Sequence, residues 1–257
     1  MTPKHARKPK RPANAAGATV DPSEIERFSR LAESWWDPRG KFAILHKFNP
    51  TRLAFLRDRL CAHFARDPSA PKPLAGLRIC DIGCGGGLLA EPLTRLGAAV
   101  TGIDAAGPAI KVAILHAEQS GLAIDYRTAT VEDLAAAGER FDVVLNMEVV
   151  EHVVDPAAFI AASCGLVAPG GLTVVATLNR TPKSFVFGIV GAEYVLGWVP
   201  RGTHDWRKFV RPSELGAYLR QAGATLQEIA GVSYNPLRDR FTVGADTDIN
   251  YMAVATL

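Results

Sequence analysis

At 257 residues, 48% hydrophobic and 21% charged, the chain is long and apolar enough to bury a full core, which excludes the disordered classes and favours one domain with additions. Lys4, Arg7, Lys8, Lys10 and Arg11 carry the formal net charge of +3; of 29 basic residues they leave 24 against 26 acidic, a balance of −2, and nucleic acid is not an expected partner. The four cysteines, at 61, 80, 84 and 164, form no C-x-x-C pair and no zinc spacing, so reduced intracellular thiols are expected.

Residues 1–20, broken by Pro3, Pro9 and Pro12, read as a disordered basic arm: a solubilising terminus, or one drawn to an anionic membrane surface. No apolar h-region follows, and the prolines argue against a transit helix. Asp21-Pro22-Ser23-Glu24 predicts a helix start, with the helix running through Phe28 and Leu31 towards Trp35. A second helix is expected from Asn49-Pro50 to about Phe64. The stretch Asp67 to Pro73 then breaks regular structure, which divides an N-terminal helical lid, 21–73, from a main domain, 74–257.

From Leu77 onward apolar runs alternate with helical stretches, the signature of parallel βαβ units. Strands are predicted at 77–82, 99–104, 124–128, 141–146 and 171–178. Helices are predicted at 87–96, 107–120, 131–136 and 155–167, the last ended by Ala168-Pro169-Gly170-Gly171. Further signals fall at 212–222, 224–233 and 247–256, with a turn from Asp239 to Asp246. The expected fold is α/β: a Rossmann-like, doubly wound sheet of seven strands, mostly parallel, with one antiparallel strand near the C-terminus.

Between the first strand and its helix lies Cys80-Asp81-Ile82-Gly83-Cys84-Gly85-Gly86-Gly87. Gly83, Gly85 and Gly87 remove the Cβ atoms that would hold a ligand off the backbone, and Asp104, at the end of the next strand, stands where an acid grips a ribose hydroxyl. The spacing is G-x-G-x-G, not the dinucleotide G-x-G-x-x-G, and Asp81 would repel a diphosphate while suiting a cationic amino-acid moiety. The pattern resembles the S-adenosylmethionine loop of class I methyltransferases; a close-packed glycine turn and a loop-capping aspartate are the bland alternatives. Cys84 reads as a packing residue.

Resemblance extends along the chain. Ala32-Glu33-Ser34-Trp35-Trp36-Asp37-Pro38-Arg39-Gly40 and Leu45-His46-Lys47-Phe48-Asn49-Pro50-Thr51-Arg52 resemble the N-terminal signature of the ubiquinone-biosynthesis O-methyltransferases. The likeness continues through Met147–His152, Thr177–Arg180, Gly191–Tyr194, Gly202–Asp205 and Asn250–Met252, with mild departures at Thr51 and Asn146. It implies S-adenosylmethionine-dependent methylation of phenolic oxygens on polyprenylated precursors, at two pathway steps. It also implies a cytoplasmic protein peripherally associated with the inner membrane, within reach of a ubiquinone-biosynthesis complex.

On that resemblance Arg52 contacts the cofactor, which requires the N-terminal helices to fold over the loop, and Met147 packs on the adenine; a surface arginine and a core methionine are the alternatives. Trp35 and Trp36 line the substrate mouth or pack lid to core. Val131-Glu132-Asp133 touches the adenine edge or starts a helix. If a helical turn begins after Met147, then Glu148, Glu151 and His152 share a face. His152, with a reference pKa of ~6.5, is a candidate base for the phenol proton and the glutamates its orienters, or all three hold Mg²⁺ or Zn²⁺.

An apolar insertion, about 181–211, has its greasiest part at 185–199, too short to span a bilayer, where ~20 residues are needed. Beside Lys183, Arg201, Arg207, Lys208 and Arg211 it reads as an interfacial helix, a substrate lid or a buried insertion. A methyltransferase of another small aromatic acceptor and a non-catalytic membrane-associated binding module are the rival functions. A nicotinamide dehydrogenase is disfavoured by Asp81 and the loop spacing.

Overall fold

The structure, a computed structural model, describes Thr19 and residues 21–31, 34–186, 205–236 and 238–257, with the side chains of 27–31 excepted. The arm up to residue 18 and the segment 187–204, with Glu193 and Arg201, lie outside the described residues.

Eight strands form a single sheet: β1 (Arg78–Ile82), β2 (Ala99–Asp104), β3 (Asp125–Thr128), β4 (Phe141–Met147), β5 (Val167–Leu178), β6 (Thr225–Asn235), β7 (Arg240–Gly244) and β8 (Asn250–Thr256), in the order β3-β2-β1-β4-β5-β8-β6-β7. The first five run parallel, and β8 inserts antiparallel between β5 and β6. β7 is the strand missed in the sequence, where 239–246 reads as a turn. It is a short, mostly exposed edge strand paired antiparallel to β6, and its Phe241 packs on Phe48 with ring centroids 4.8 Å apart.

Neighbouring residues of each central strand face opposite layers. Ile79, Val143, Val174 and Met252 join one core, while Cys80, Val144, Val175 and Ala253 join the other. Helices α2 (Ala43–His63), α3 (Ala90–Arg95) and α4 (Gly107–Gln119) cover the first; α5 (Val131–Ala136), α6 (Pro156–Gly165) and α8 (Pro212–Gln221) cover the second. A single turn, α7 (Pro182–Ser184), follows β5.

Two boundaries differ most from expectation, while α3 starts three residues later than the expected 87. α2 begins at Ala43, with Pro50 inside it. Proline removes one helical donor, and the surrounding turns are tied instead by His46 Nε2 to the Trp35 carbonyl (2.9 Å) and by Asn49 Nδ2 donating to the Leu88 carbonyl (2.5 Å). β5 begins at Val167: Pro169-Gly170-Gly171 lies in the strand as an irregularity, since Phe141 pairs with Val167 but Val143 with Leu172.

The N-terminal helix α1 (Pro22–Leu31) lies over the carboxyl edge of the sheet. The Thr19 carbonyl accepts from the Val154 amide (2.8 Å), and Thr19 N and Oγ1 donate to Glu132 Oε1 (3.1 and 2.7 Å). Trp35, Phe42, Leu88, Ala106 and Ala109 form a small core of their own, which seats the N-terminal residues on the loops after β1 and β2.

Candidate active site

A cavity of about 800 Å³ opens at the carboxyl ends of β1, β2 and β4, beside the place where strand order reverses. Asp81 and Gly83 reach it from β1, Asp104 from β2, Met147 and Glu148 from β4, and Arg52 from α2, across the sheet edge. Phe42, Leu45, Phe48, Val232, Phe241 and Ile249 add apolar wall.

Gly83, Gly85 and Gly87 have φ of 68°, 53° and 87°, where a side chain is strained. Gly83 lines the cavity, and all three are also hemmed in by protein, a Cβ on Gly83 meeting the Val149 side chain. A Cβ on Gly85 would strike the Trp35 indole, and one on Gly87 the Tyr126 hydroxyl. Trp35 thus lies on the loop and faces the cavity, stacked on Phe42 at 3.9 Å. Trp36 instead donates from Nε1 to the Gly86 carbonyl (2.8 Å) and stacks on His116 (3.4 Å), fastening the N-terminal residues to the loop. Asp104 accepts from the amides of Gly85 (3.0 Å) and Ala106 (2.7 Å), so it organises the loop besides facing the cavity.

Burial dominates the electrostatics. It pushes the Asp81 carboxyl up to about 7, against the pull of the Arg52 charge. It raises Asp104 despite its two amide donors, and lowers Arg52 despite Glu148, Asp81 and Glu151. Among the described residues Asp81 Oδ2 and Arg52 Nε and Nη2 are buried without hydrogen-bond partners. A buried carboxylate oxygen and guanidinium donors left without hydrogen bonds together fit a ligand that carries both an ammonium and a carboxylate, the amino-acid end of S-adenosylmethionine. Cys84 is buried and its thiol raised, as befits a packing residue.

Glu148, Glu151 and His152 do not share a helical face. Glu148 has a left-handed backbone (φ 62°) and precedes the short 3₁₀ turn Val150–His152. Its Oε1 accepts from Asn250 Nδ2 (2.8 Å) and lies 3.6 Å from Arg52 Nη2. Glu151 is buried behind it, accepting from Thr177 Oγ1 (2.8 Å), and burial beside Glu148 holds its carboxyl well above the usual range. His152 lines the cavity with its Nδ1 3.4 Å from Glu24 Oε2 of α1. The ring turns towards α1, and no group of three or more His, Cys, Asp or Glu among the described residues is placed to hold an ion, so the expected Mg²⁺ or Zn²⁺ set finds no support in this arrangement. Likewise Asp133 closes a capping box with Thr130 and Glu132 holds Thr19, so of the adenine-edge candidates Val131 alone borders the cavity. Glu24, Thr19, Tyr126 and Asn250 are the residues that sequence reasoning did not single out for the site.

A family model described as a methyltransferase domain matches residues 47–229. Magnesium protoporphyrin IX methyltransferase from Synechocystis PCC 6803, solved with bound SAH, superposes with a TM-score of 0.59 over 91% of this chain and 94% of that one, at 19% identity. Fold and site define a S-adenosylmethionine-dependent methyltransferase. The ubiquinone biosynthesis O-methyltransferase of Parvibaculum lavamentivorans is 58% identical over 241 residues, 94% of this chain and 95% of that protein. That of Brucella anthropi is 60% identical over 240 residues, covering 93% and 97%. The chain belongs to the ubiquinone biosynthesis O-methyltransferase family.

Proposed function

We propose that the protein methylates phenolic oxygens of polyprenylated catechol and hydroquinone precursors, at the two O-methylation steps of ubiquinone biosynthesis. One observation carries this reading: one largely apolar cavity joins Asp81 and Arg52, whose buried polar atoms lack hydrogen-bond partners, to His152. When bound, S-adenosylmethionine supplies a methyl group already activated on a sulfonium. Asp81 and Arg52 hold its ammonium and carboxylate, Asp104 its ribose, and Met147 and Val131 flank its adenine. Gly83 keeps backbone open to the ligand, while Gly85 and Gly87 hold the loop's shape. His152 takes the phenolic proton as oxygen bonds to the methyl carbon, while the methyl–sulfur bond breaks and its electron pair leaves on the sulfur of S-adenosylhomocysteine. Positioning and proton removal are worth up to ~7–11 kcal/mol and ~10²–10⁴-fold respectively.

Membrane contact by the insertion is supported by the half-exposed Phe185 and Val186 at its start, beside Lys183 and Arg207. No helix among the described residues is long and apolar enough to cross a membrane. Liposome co-sedimentation with 185–199 made polar tests the contact, and undiminished binding refutes it.

The reaction itself is tested by methyl transfer from labelled S-adenosylmethionine to demethylated prenyl catechols. His152→Ala should cut turnover ~10²-fold or more while S-adenosylmethionine affinity holds. Full turnover by that variant would remove His152 as the base.

A further inference from the structure

With His152 read as the base, its two acidic sequence neighbours are engaged elsewhere, Glu148 with Arg52 and Asn250 and Glu151 with Thr177. The carboxylate that meets the ring comes from the N-terminal helix. Glu24 Oε2 lies 3.4 Å from His152 Nδ1, the two side chains being 17% and 13% exposed, and Glu24 Oε1 lies 3.9 Å from Lys208 Nζ. We propose that Glu24 is a positioning residue for His152, so that the base is complete only when α1 is seated over the cavity. This rests on the reading of His152 above.

A carboxylate on one imidazole nitrogen fixes the tautomer, keeps the proton on Nδ1 and directs Nε2 to the substrate; it also stabilises the imidazolium that forms. Both side chains are mostly buried, where such a pair is stronger than in water. A 3.4 Å separation is loose for a hydrogen bond, and ligand-free sites commonly hold catalytic contacts in that form. α1 is held in place by contacts that do not use the ring. Thr19 bonds to the Val154 amide, two residues after His152, and to Glu132, while Asp21 Oδ2 lies 3.4 Å from Lys208 Nζ. The strap and the base therefore share one short segment. Substrate entry that lifts α1 also disarms the base.

Steady-state kinetics with a short-chain prenylated catechol, and calorimetric titration with S-adenosylmethionine, test this on full-length Glu24→Ala, Glu24→Gln, His152→Ala and the Glu24→Ala/His152→Ala pair. Glu24→Ala should lower kcat ~10- to 10²-fold with catechol KM and S-adenosylmethionine Kd held within ~2-fold. Glu24→Gln, which keeps an acceptor for Nδ1–H, should fall between it and the parent, and Glu24→Ala should cost nothing further in the His152→Ala background. Unchanged kcat in Glu24→Ala, or KM and Kd rising as kcat falls, overturns the proposal, the second result marking α1 as a clamp only. If His152→Ala keeps full turnover the base reading itself fails; if it loses turnover while Glu24→Ala does not, only the positioning role fails.

Discussion

Asp81 offers the sharpest test of the cofactor site, because its carboxyl is pushed up to about 7 and is therefore largely neutral in the ligand-free protein under mildly acid conditions. A ligand ammonium needs the charged form. Below about pH 7 binding must therefore expel a proton, and the apparent Kd should weaken by up to ~10-fold for each pH unit of acidification, then level off above pH ~7. The ligand's own α-amine, near ~7.7–8.0, confines the test to pH values below it. Calorimetric titration with S-adenosylhomocysteine at about pH 6, in two buffers of different ionisation enthalpy, should report release of close to one proton. Asp81→Asn should abolish both the release and the slope, and weaken binding by ~1.5–3 kcal/mol. The stability of the ligand-free protein moves the other way. A carboxyl raised in the fold contributes stability that is fully present below its unfolded value, 3.8, and lost as pH rises through about 7. That contribution is roughly 4 kcal/mol at most, and Asp81→Asn should flatten it in urea titrations. A pH-independent Kd, or the same slope in Asp81→Asn, would refute the reasoning.

Other outcomes follow from the loop and its supports. Gly87→Ala places a Cβ against the Tyr126 hydroxyl at a φ of 87°, so urea denaturation should show a loss of ~1–3 kcal/mol; adding Tyr126→Phe should restore only part, since the backbone strain stays. Asp104→Ala removes the acceptor for two loop amides as well as the ribose acid, and calorimetry should show S-adenosylmethionine affinity falling ~10²-fold or more. Trp36→Phe keeps the stacking on His116 but drops the bond to Gly86, so limited proteolysis should cut the lid faster, with stability lowered by ~1 kcal/mol.

The parallel half of the fold was legible because its strands are buried on both faces, which makes them largely apolar runs bounded by turn residues, as at Ile79–Ile82 and Val143–Met147, each broken by one polar residue. β7 was not, because its three strand-favouring residues, Phe241-Thr242-Val243, are too short a run to stand out between the turn-like Arg238-Asp239 and Gly244-Ala245-Asp246. The start of α2 was hidden by Pro50, whose preference for a first turn made Asn49 look like the cap, while the side-chain ties that tolerate an interior proline are long-range. The loop's glycines and Asp104 could be found from spacing. Their reasons could not: Gly85 and Gly87 answer to Trp35, some 50 residues upstream, and to Tyr126, some 40 downstream. Glu24 carried no signal beyond its place in a helix start, because its partner is brought to it only by tertiary folding.

Arg52 meets the charges of Glu148, Asp81 and Glu151, with Asp104 acting on Asp81, and burial cannot leave all four acids charged beside one guanidinium. The structure sorts them by their partners. Glu151, fully enclosed and beside Glu148, has its carboxyl raised well above the usual range, while Glu148 has contacts with Arg52 and Asn250. Asp104 has two amides to favour its charge, whereas Asp81 has only the Arg52 field and an oxygen without a hydrogen-bond partner. Asp81 is thus the group whose ionisation a cationic ligand would complete, and Arg52 the one whose buried donors an anionic ligand group would satisfy. A dinucleotide would bring a diphosphate to this acid cluster and be repelled, while an amino-acid end with both charges satisfies the pair at once. The loop spacing chose between those cofactors by pattern; the unpaired atoms of Asp81 and Arg52 supply the physical reason.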